Sequence, residues 1–233
     1  MQEIFPGLYA ITRTMTNCYL IETAVDELTL IDTGIPGTTG TILKAAAELN
    51  YQPEQIKHIL ITHSDLDHAG SLAKLASVTG AKIYAGEKSV QYLESGTMPP
   101  HVPGFMNAVM AAMQKEAKVD VTVTDGETIP IGEGIVAIHV PGHTPENYNF
   151  FWEKHGVLFG ADLFFTITGD LTLSPAAISW NMNEVKKSAI KAFELAPAYI
   201  CPGHGNSINL AQSPEKAARL RRQLEGGVSL ATT

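Results

Sequence analysis

Two cysteines in 233 residues, Cys18 and Cys201, are too few for a disulfide framework. Each lies in an apolar, strand-like run, so both read as buried free thiols. Positive charge is also short: Lys and Arg total 16 against 24 for Asp and Glu, a formal charge of −8. That balance disfavours a polyanionic partner such as DNA or RNA and leaves small-molecule substrates as the expectation. No apolar run reaches the roughly 20 residues needed to cross a bilayer. The opening Met1-Gln2-Glu3-Ile4-Phe5-Pro6 lacks the basic-then-apolar pattern of a secretory leader, so the expected compartment is the cytoplasm, with no membrane partner. Tandem repeats, low-complexity tracts and flexible linkers are missing as well. With hydrophobic residues at 45% and charged ones at 17%, residues 1–233 are expected to form a single globular domain.

What the chain does have is a concentration of ligand-type side chains. His63-Ser64-Asp65-Leu66-Asp67-His68 places four of them between the apolar run Ile59-Leu60-Ile61-Thr62 and the helix-like Ala69-Gly70-Ser71-Leu72. Alternate residues of an extended segment point the same way, so His63 and Asp65 can converge on one point. As the chain curls into a helix, Asp67 and His68 can face a second point nearby. Two metal positions are the economical reading.

Strand signals come first, around residues 8–12, 17–21 and 28–31, and a helix is expected over 39–49. The strand at 58–61 delivers the cluster at its carboxyl end, where open α/β sheets place chemistry. A helix over 72–77, a strand over 81–85 and a short helix over 87–94 follow. Residues 99–118 change in composition: a Pro-rich entry leads to a helix with Phe105, Met106, Val109, Met110 and Met113 on one stripe. More strands are expected at 121–123, 127–131 and 135–140, then a hairpin over 148–152 and 157–159 that ends at Gly160-Ala161-Asp162. A helix over 183–195, a strand over 198–201, a tight turn at Pro202-Gly203-His204-Gly205 and a last helix opened by Ser213-Pro214 complete the order. Residues 228–233 are expected to fray. Strands, helices, strands, helices call for two stacked sheets with helices outside both. Three further ligand-type residues, His143, Asp162 and His204, each follow a strand and a glycine.

The pieces Leu30-Ile31-Asp32-Thr33-Gly34, Thr62 to His68 with Ala69-Gly70, Pro141-Gly142-His143-Thr144-Pro145, Gly160-Ala161-Asp162 and Pro202-Gly203-His204-Gly205 stand in an order that resembles the metallo-β-lactamase superfamily of metal-dependent hydrolases. The resemblance implies an α+β fold, a four-layer αββα sandwich of two mixed sheets with helices on the outer faces. It also implies two divalent ions, zinc foremost with iron or manganese as alternatives, held between the loop edges of the sheets. By position, His63, Asp65 and His143 would hold the first, Asp67, His68 and His204 the second, and Asp162 would bridge them. Asp32 would brace the ligand loop by hydrogen bonds, and Asp67 would also orient the attacking hydroxide or pass its proton.

Two departures stand out. The family pattern is H-x-H-x-D-H, and Asp65 replaces its second His; a carboxylate is a harder donor, which favours manganese or iron more than an all-His site would. Glu146-Asn147 stands where relatives commonly carry a glycine. His58, His139 and His155 have no ligand-type company and read as structural or solvated, and His101 as a surface residue. The Met stripe reads first as core or homodimer contact. If it instead folds over the metals, Met106 and Met110 with Phe164, Phe165 and Trp180 would wall an apolar pocket, suiting an ester, thioester or lactone with an apolar part. A glyoxalase II-like thioesterase and a di-iron redox protein lacking its flavin domain are the rival readings.

Overall fold

The computed structural model describes residues 1–12, 15–99, 101 and 104–228, without the side chains of residues 106, 107 and 226–228. The first half of the chain builds one sheet from β1 (Gln2–Phe5), β2 (Leu8–Ile11), β3 (Cys18–Ala24), β4 (Glu27–Ile31), β5 (Ile56–Ile61), β6 (Lys82–Gly86) and β7 (Val121–Val123), in sequence order from edge to edge. The pairing is antiparallel through β4 and parallel from β4 to β7. The parallel part needs crossovers, and the helices α1 (Thr39–Glu48), α2 (Leu66–Ala69), α3 (Leu72–Thr79), α4 (Val90–Ser95) and α5 (Gly104–Met113) lie in them.

The second half builds the other sheet from β8 (Thr128–Ile129), β9 (Ile135–His139), β10 (Tyr148–Trp152), β11 (Val157–Thr166), β12 (Thr172–Leu173), β13 (Tyr199–Gly205) and β14 (Ile208–Asn209), with α6 (Met182–Glu194) and α7 (Pro214–Val228). Its order is β14-β13-β11-β10-β9-β8, with β12 paired to part of β11.

Alternation along the strands sorts their side chains into three apolar layers. Leu20 and Leu30 face Ile42 and Ala46 of α1 and Leu72 and Leu75 of α3. Their neighbours Tyr19, Ile21 and Ile31 turn the other way, onto Phe150, Trp152 and Phe159 of the second sheet. Leu158 and Phe164 then meet Val185, Ala189 and Phe193 of α6 and Leu220 and Leu224 of α7. Helix, sheet, sheet and helix therefore stack as expected, and both sheets are mixed. No helix among the described residues is long and apolar enough to cross a membrane.

Two expectations for the second half are corrected. Asp162 does not end its strand, because β11 continues to Thr166 and is buried throughout. Pro202-Gly203-His204-Gly205 is not a tight turn but the end of β13, where Phe165 pairs with His204 and Thr166 with Gly205. Parallel pairing to β11 keeps Pro202 and His204 in the strand, and the positive φ that a turn would use appears only at Gly205, at +93°. The register shifts on either side of Ala161, whose φ is +42°, and that irregularity lies beside Asp162.

Candidate metal centre

The cluster occupies the loop end of the sandwich, and both sheets contribute to it. β5 ends at Ile61, and the chain turns at Thr62 to Asp65 into α2. Asp65 is the N-cap residue of that helix, yet its side chain makes no cap hydrogen bond. A cap aspartate ordinarily accepts from the second or third helical N–H; here the carboxylate points instead at imidazoles. Asp65 Oδ2 lies 3.2 Å from His143 Nε2 and 3.6 Å from His63 Nε2. On the other side, His204 Nε2 stands 3.3 Å from both Asp67 Oδ2 and Asp162 Oδ2.

All seven predicted ligands come together, in three overlapping groups whose ligand atoms lie within 4.8 Å of one another: His63, Asp65 and His143; His63, His68 and Asp162; and Asp67, His68 and His204. The first and third are the two sets expected, and Asp162 falls between them.

Each imidazole deep in the site is held from behind. Asp32 Oδ2 accepts from His68 Nδ1 at 2.7 Å and from Thr62 Oγ1 at 2.8 Å, and Asp32 Oδ1 accepts from Thr62 N at 2.9 Å. Having donated to Asp32, the Thr62 hydroxyl can accept from His63 Nδ1, 3.0 Å away. Ser174 Oγ meets His143 Nδ1 at 3.2 Å. Outer partners at Nδ1 fix ring and tautomer and leave Nε2 as the free lone pair. These bonds also hold Asp32 at a φ of +57°, a conformation aspartate adopts only at a cost.

The free atoms on the inner side test whether a cation fits. His63 Nε2, His68 Nε2, Asp65 Oδ1 and Asp162 Oδ1 are buried without a hydrogen-bond partner. His68 Nε2 and Asp162 Oδ1 even approach to 3.0 Å without one. Unpartnered buried acceptors are costly, and a shared cation is the group that would satisfy several at once. The electrostatics agree. Burial works against a charged His68, yet Asp162, Asp32 and Asp67 outweigh it and push its pKa well up. Burial likewise opposes ionisation of Asp162, but His68 and His204 hold its carboxyl well below the usual range. For His204, burial is overcome by Asp162 and Asp67, and its pKa rises to about 9. The site is short of positive charge, and its imidazole and carboxylate donors suit divalent transition metals.

A family model for the metallo-beta-lactamase superfamily matches residues 11–204. The chain belongs to that superfamily. It is 32% identical over 230 residues to the uncharacterized protein YobT of Bacillus subtilis (strain 168), covering 92% of this chain and 90% of that one. With YflN of the same organism, described as a probable metallo-hydrolase, it shares 24% identity, over 87% and 85% of the two chains. Among solved structures, BJP-1, a subclass B3 metallo-beta-lactamase of Bradyrhizobium japonicum, superposes with a TM-score of 0.71 at 24% identity, over 98% of this chain and 93% of that one. The superfamily fold accounts for the shared loop edge on which His63, His143 and His204 converge, and makes this chain a metallo-hydrolase by family.

Three neighbours of the cluster escaped the sequence reading. Thr16 Oγ1 donates to Asp67 Oδ2 at 2.6 Å from 51 residues away. Glu146, fully buried, accepts from Ser64 N at 2.9 Å, from Ser64 Oγ, and from Thr144 Oγ1 at 2.6 Å, tying the His63 loop to the His143 loop. Its place next to a ligand motif was the available signal. His101 is no surface residue: its side chain is 2% exposed, with Nε2 2.9 Å from Asp65 Oδ2. Burial disfavours its cation, but Asp65 outweighs that and raises its pKa.

The other histidines lie apart from the cluster. His58 Nε2 is 3.4 Å from Glu27, His139 Nε2 is 3.1 Å from the Pro145 carbonyl, and His155 stacks on Phe5.

Beside the cluster opens a cavity of about 700 Å³ whose walls include Ile35, Leu66, Met110, Met113, Phe165 and Ile178. Met110 and Phe165 are among these wall residues, and Phe165 stacks on His204 at 5.0 Å. Two other residues expected on the wall are elsewhere. Phe164 is buried in the layer under α6, against Phe193, and Trp180 is half exposed and no part of the wall. β-strand alternation explains the first, since neighbours on β11 face opposite ways. The Met106 side chain lies outside the described residues. The Met stripe is not core either: Phe105 is 83% exposed and Val109 and Met113 about half so, and Met110 and Met113 line the cavity.

Proposed function

We propose that this chain hydrolyses an uncharged ester, thioester or lactone that carries an apolar group, using two divalent ions. His63, Asp65 and His143 would hold one, Asp67, His68 and His204 the other, with Asp162 between them. The observation that carries this reading is the junction of the seven-residue cluster with the apolar cavity, among whose described wall residues there is no lysine or arginine. A phosphodiester or a carboxylate-bearing substrate would want such a cation. Zinc is the foremost candidate, and the carboxylate of Asp65 extends the choice to manganese and iron.

Bound ions of this kind supply Lewis acidity and a hydroxide at neutral pH. The chain's own residues do the rest. Asp67, at the partly open side of the cluster and held by Thr16, would orient the attacking oxygen and carry its proton to the leaving group through its carboxylate. Asp32 keeps the His68 ring in the tautomer that presents Nε2. Met110, Met113, Phe165 and Ile178 bind the apolar part and keep bulk water from the scissile bond.

The test is a substrate series on protein stripped of metal and reloaded with Zn(II), Mn(II) or Fe(II) in turn. Acyl-homoserine lactones and S-acyl thioesters of rising chain length would be compared with a phosphodiester and a nitrocefin-type lactam. Each buried methylene contributes about 0.8 kcal/mol, so kcat/KM should climb roughly fourfold per CH2 until the cavity is full. Turnover confined to the phosphodiester, or indifference to acyl length, would overturn the reading.

A further inference from the structure

One imidazole at the centre comes from neither sheet. His101 lies between α4 and α5, in the stretch whose composition departs from the rest of the chain. Nε2 is 2.9 Å from Asp65 Oδ2, and the ring meets that of His143 edge-on at 5.1 Å between centroids. At its far side Nδ1 is 3.0 Å from the Pro99 carbonyl. The ring thus has an oxygen beside each nitrogen, and its contact with the cluster is to the Asp65 carboxylate; His101 is in none of the three ligand groups.

Asp65 needs such a partner. Its own helix has four residues and takes no cap bond from it. A carboxylate on a turn without a local hydrogen bond has several rotamers open to it, and ordering it costs entropy. Of its two oxygens, Oδ2 faces the imidazoles while Oδ1 is buried with no partner.

The geometry points to His101 as the positioning residue of Asp65: Nε2–H donates to Oδ2 and fixes the carboxylate beside the Nε2 atoms of His63 and His143. Building on the two-ion reading above, it makes His101 part of the first metal position, close to Met110 and Met113 on the cavity wall that His101 also lines. The superfamily's usual His at position 65 would need no such support from a carboxylate-binding partner; the Asp65 and His101 pair is this chain's substitute for it.

Metal binding tests this directly. Full-length protein, stripped and titrated with Zn(II) against a chromophoric chelator and with Co(II) by visible absorption, gives both affinities and the ligand field. Partners of metal ligands typically hold ten- to a hundredfold in affinity. His101→Ala should weaken the first equivalent by about that much, alter its Co(II) bands and move the second less than about twofold. His101→Gln, whose amide can donate to Oδ2, should recover most of the loss. In an Asp65→Ala background, His101→Ala should add nothing, because the partner it positions is gone. If His101→Ala binds both equivalents as the wild type does, or weakens the Asp65→Ala protein by the same factor again, the inference fails while the two-ion reading stands. A wild-type chain that takes up neither cation overturns both.

Discussion

A buried carboxyl group must be satisfied by hydrogen-bond donors, and Glu146 draws three of them from two different loops. Replacing it by Ala leaves Ser64 N and two hydroxyls facing an empty space. Hydrogen bonds to charged groups are worth roughly 1.5–3 kcal/mol, so Glu146→Ala should lower stability by about 2 kcal/mol in denaturant melts, with Glu146→Gln losing less. Asp65 gives a second expectation at this scale. Asp65→His should shift competitive loading from manganese towards zinc, and Asp65→Ala should leave the first position underfilled by elemental analysis; an unchanged stoichiometry in the Ala protein would show that Asp65 is no ligand. The ligand types were legible because the four in residues 63–68 are neighbours and the other three each stand one or two residues after a glycine. Thr16, Glu146 and His101 were not, because what makes each of them matter is a contact across 36 to 82 residues of chain.

At the scale of elements, periodicity identified the strands and helices, and turn chemistry misled twice. Pro202-Gly203 reads as a turn, but pairing with β11 keeps it extended, a case of tertiary contacts overriding local preference. Gly203 is there for closeness instead: a Cβ would run into Asp162 Oδ1 and the His68 ring. Gly142 does the same for α6, since a Cβ on it would strike the Val185 backbone in the first turns of that helix. Overpacking against backbone typically costs about 1–3 kcal/mol. Gly142→Ala should therefore depress the melting temperature by several degrees and, because His143 is the next residue, weaken the first metal position in the same chelator titration. Unaltered melting would mean that α6 can shift without penalty.

For the molecule as a whole, the formal charge of −8 is concentrated inward as well as outward, with Asp32, Asp65, Asp162 and Glu146 all buried. Ions bound only by the folded form stabilise it by mass action, about 2.7 kcal/mol at a hundred times the dissociation constant. For a chain of this size that corresponds to roughly 5–10 °C, so chelation should lower the melting temperature by about that much and readdition of zinc should restore it. The layer architecture was legible because each layer reflects a repeating pattern; the cavity was not, since its wall joins residues from Ile35 to Ile178 that no local pattern connects.

Each sheet is spun from one uninterrupted half of the polypeptide, β1 to β7 and then β8 to β14. Only the turn of residues 124–127 passes from one to the other. Cutting there yields two fragments, of which one retains His63, Asp65, Asp67 and His68 and the other His143, Asp162 and His204. Neither piece keeps a complete coordination set, so their re-association after co-expression should be a chelator-sensitive complementation, with the inorganic ion acting as a rivet between complementary halves.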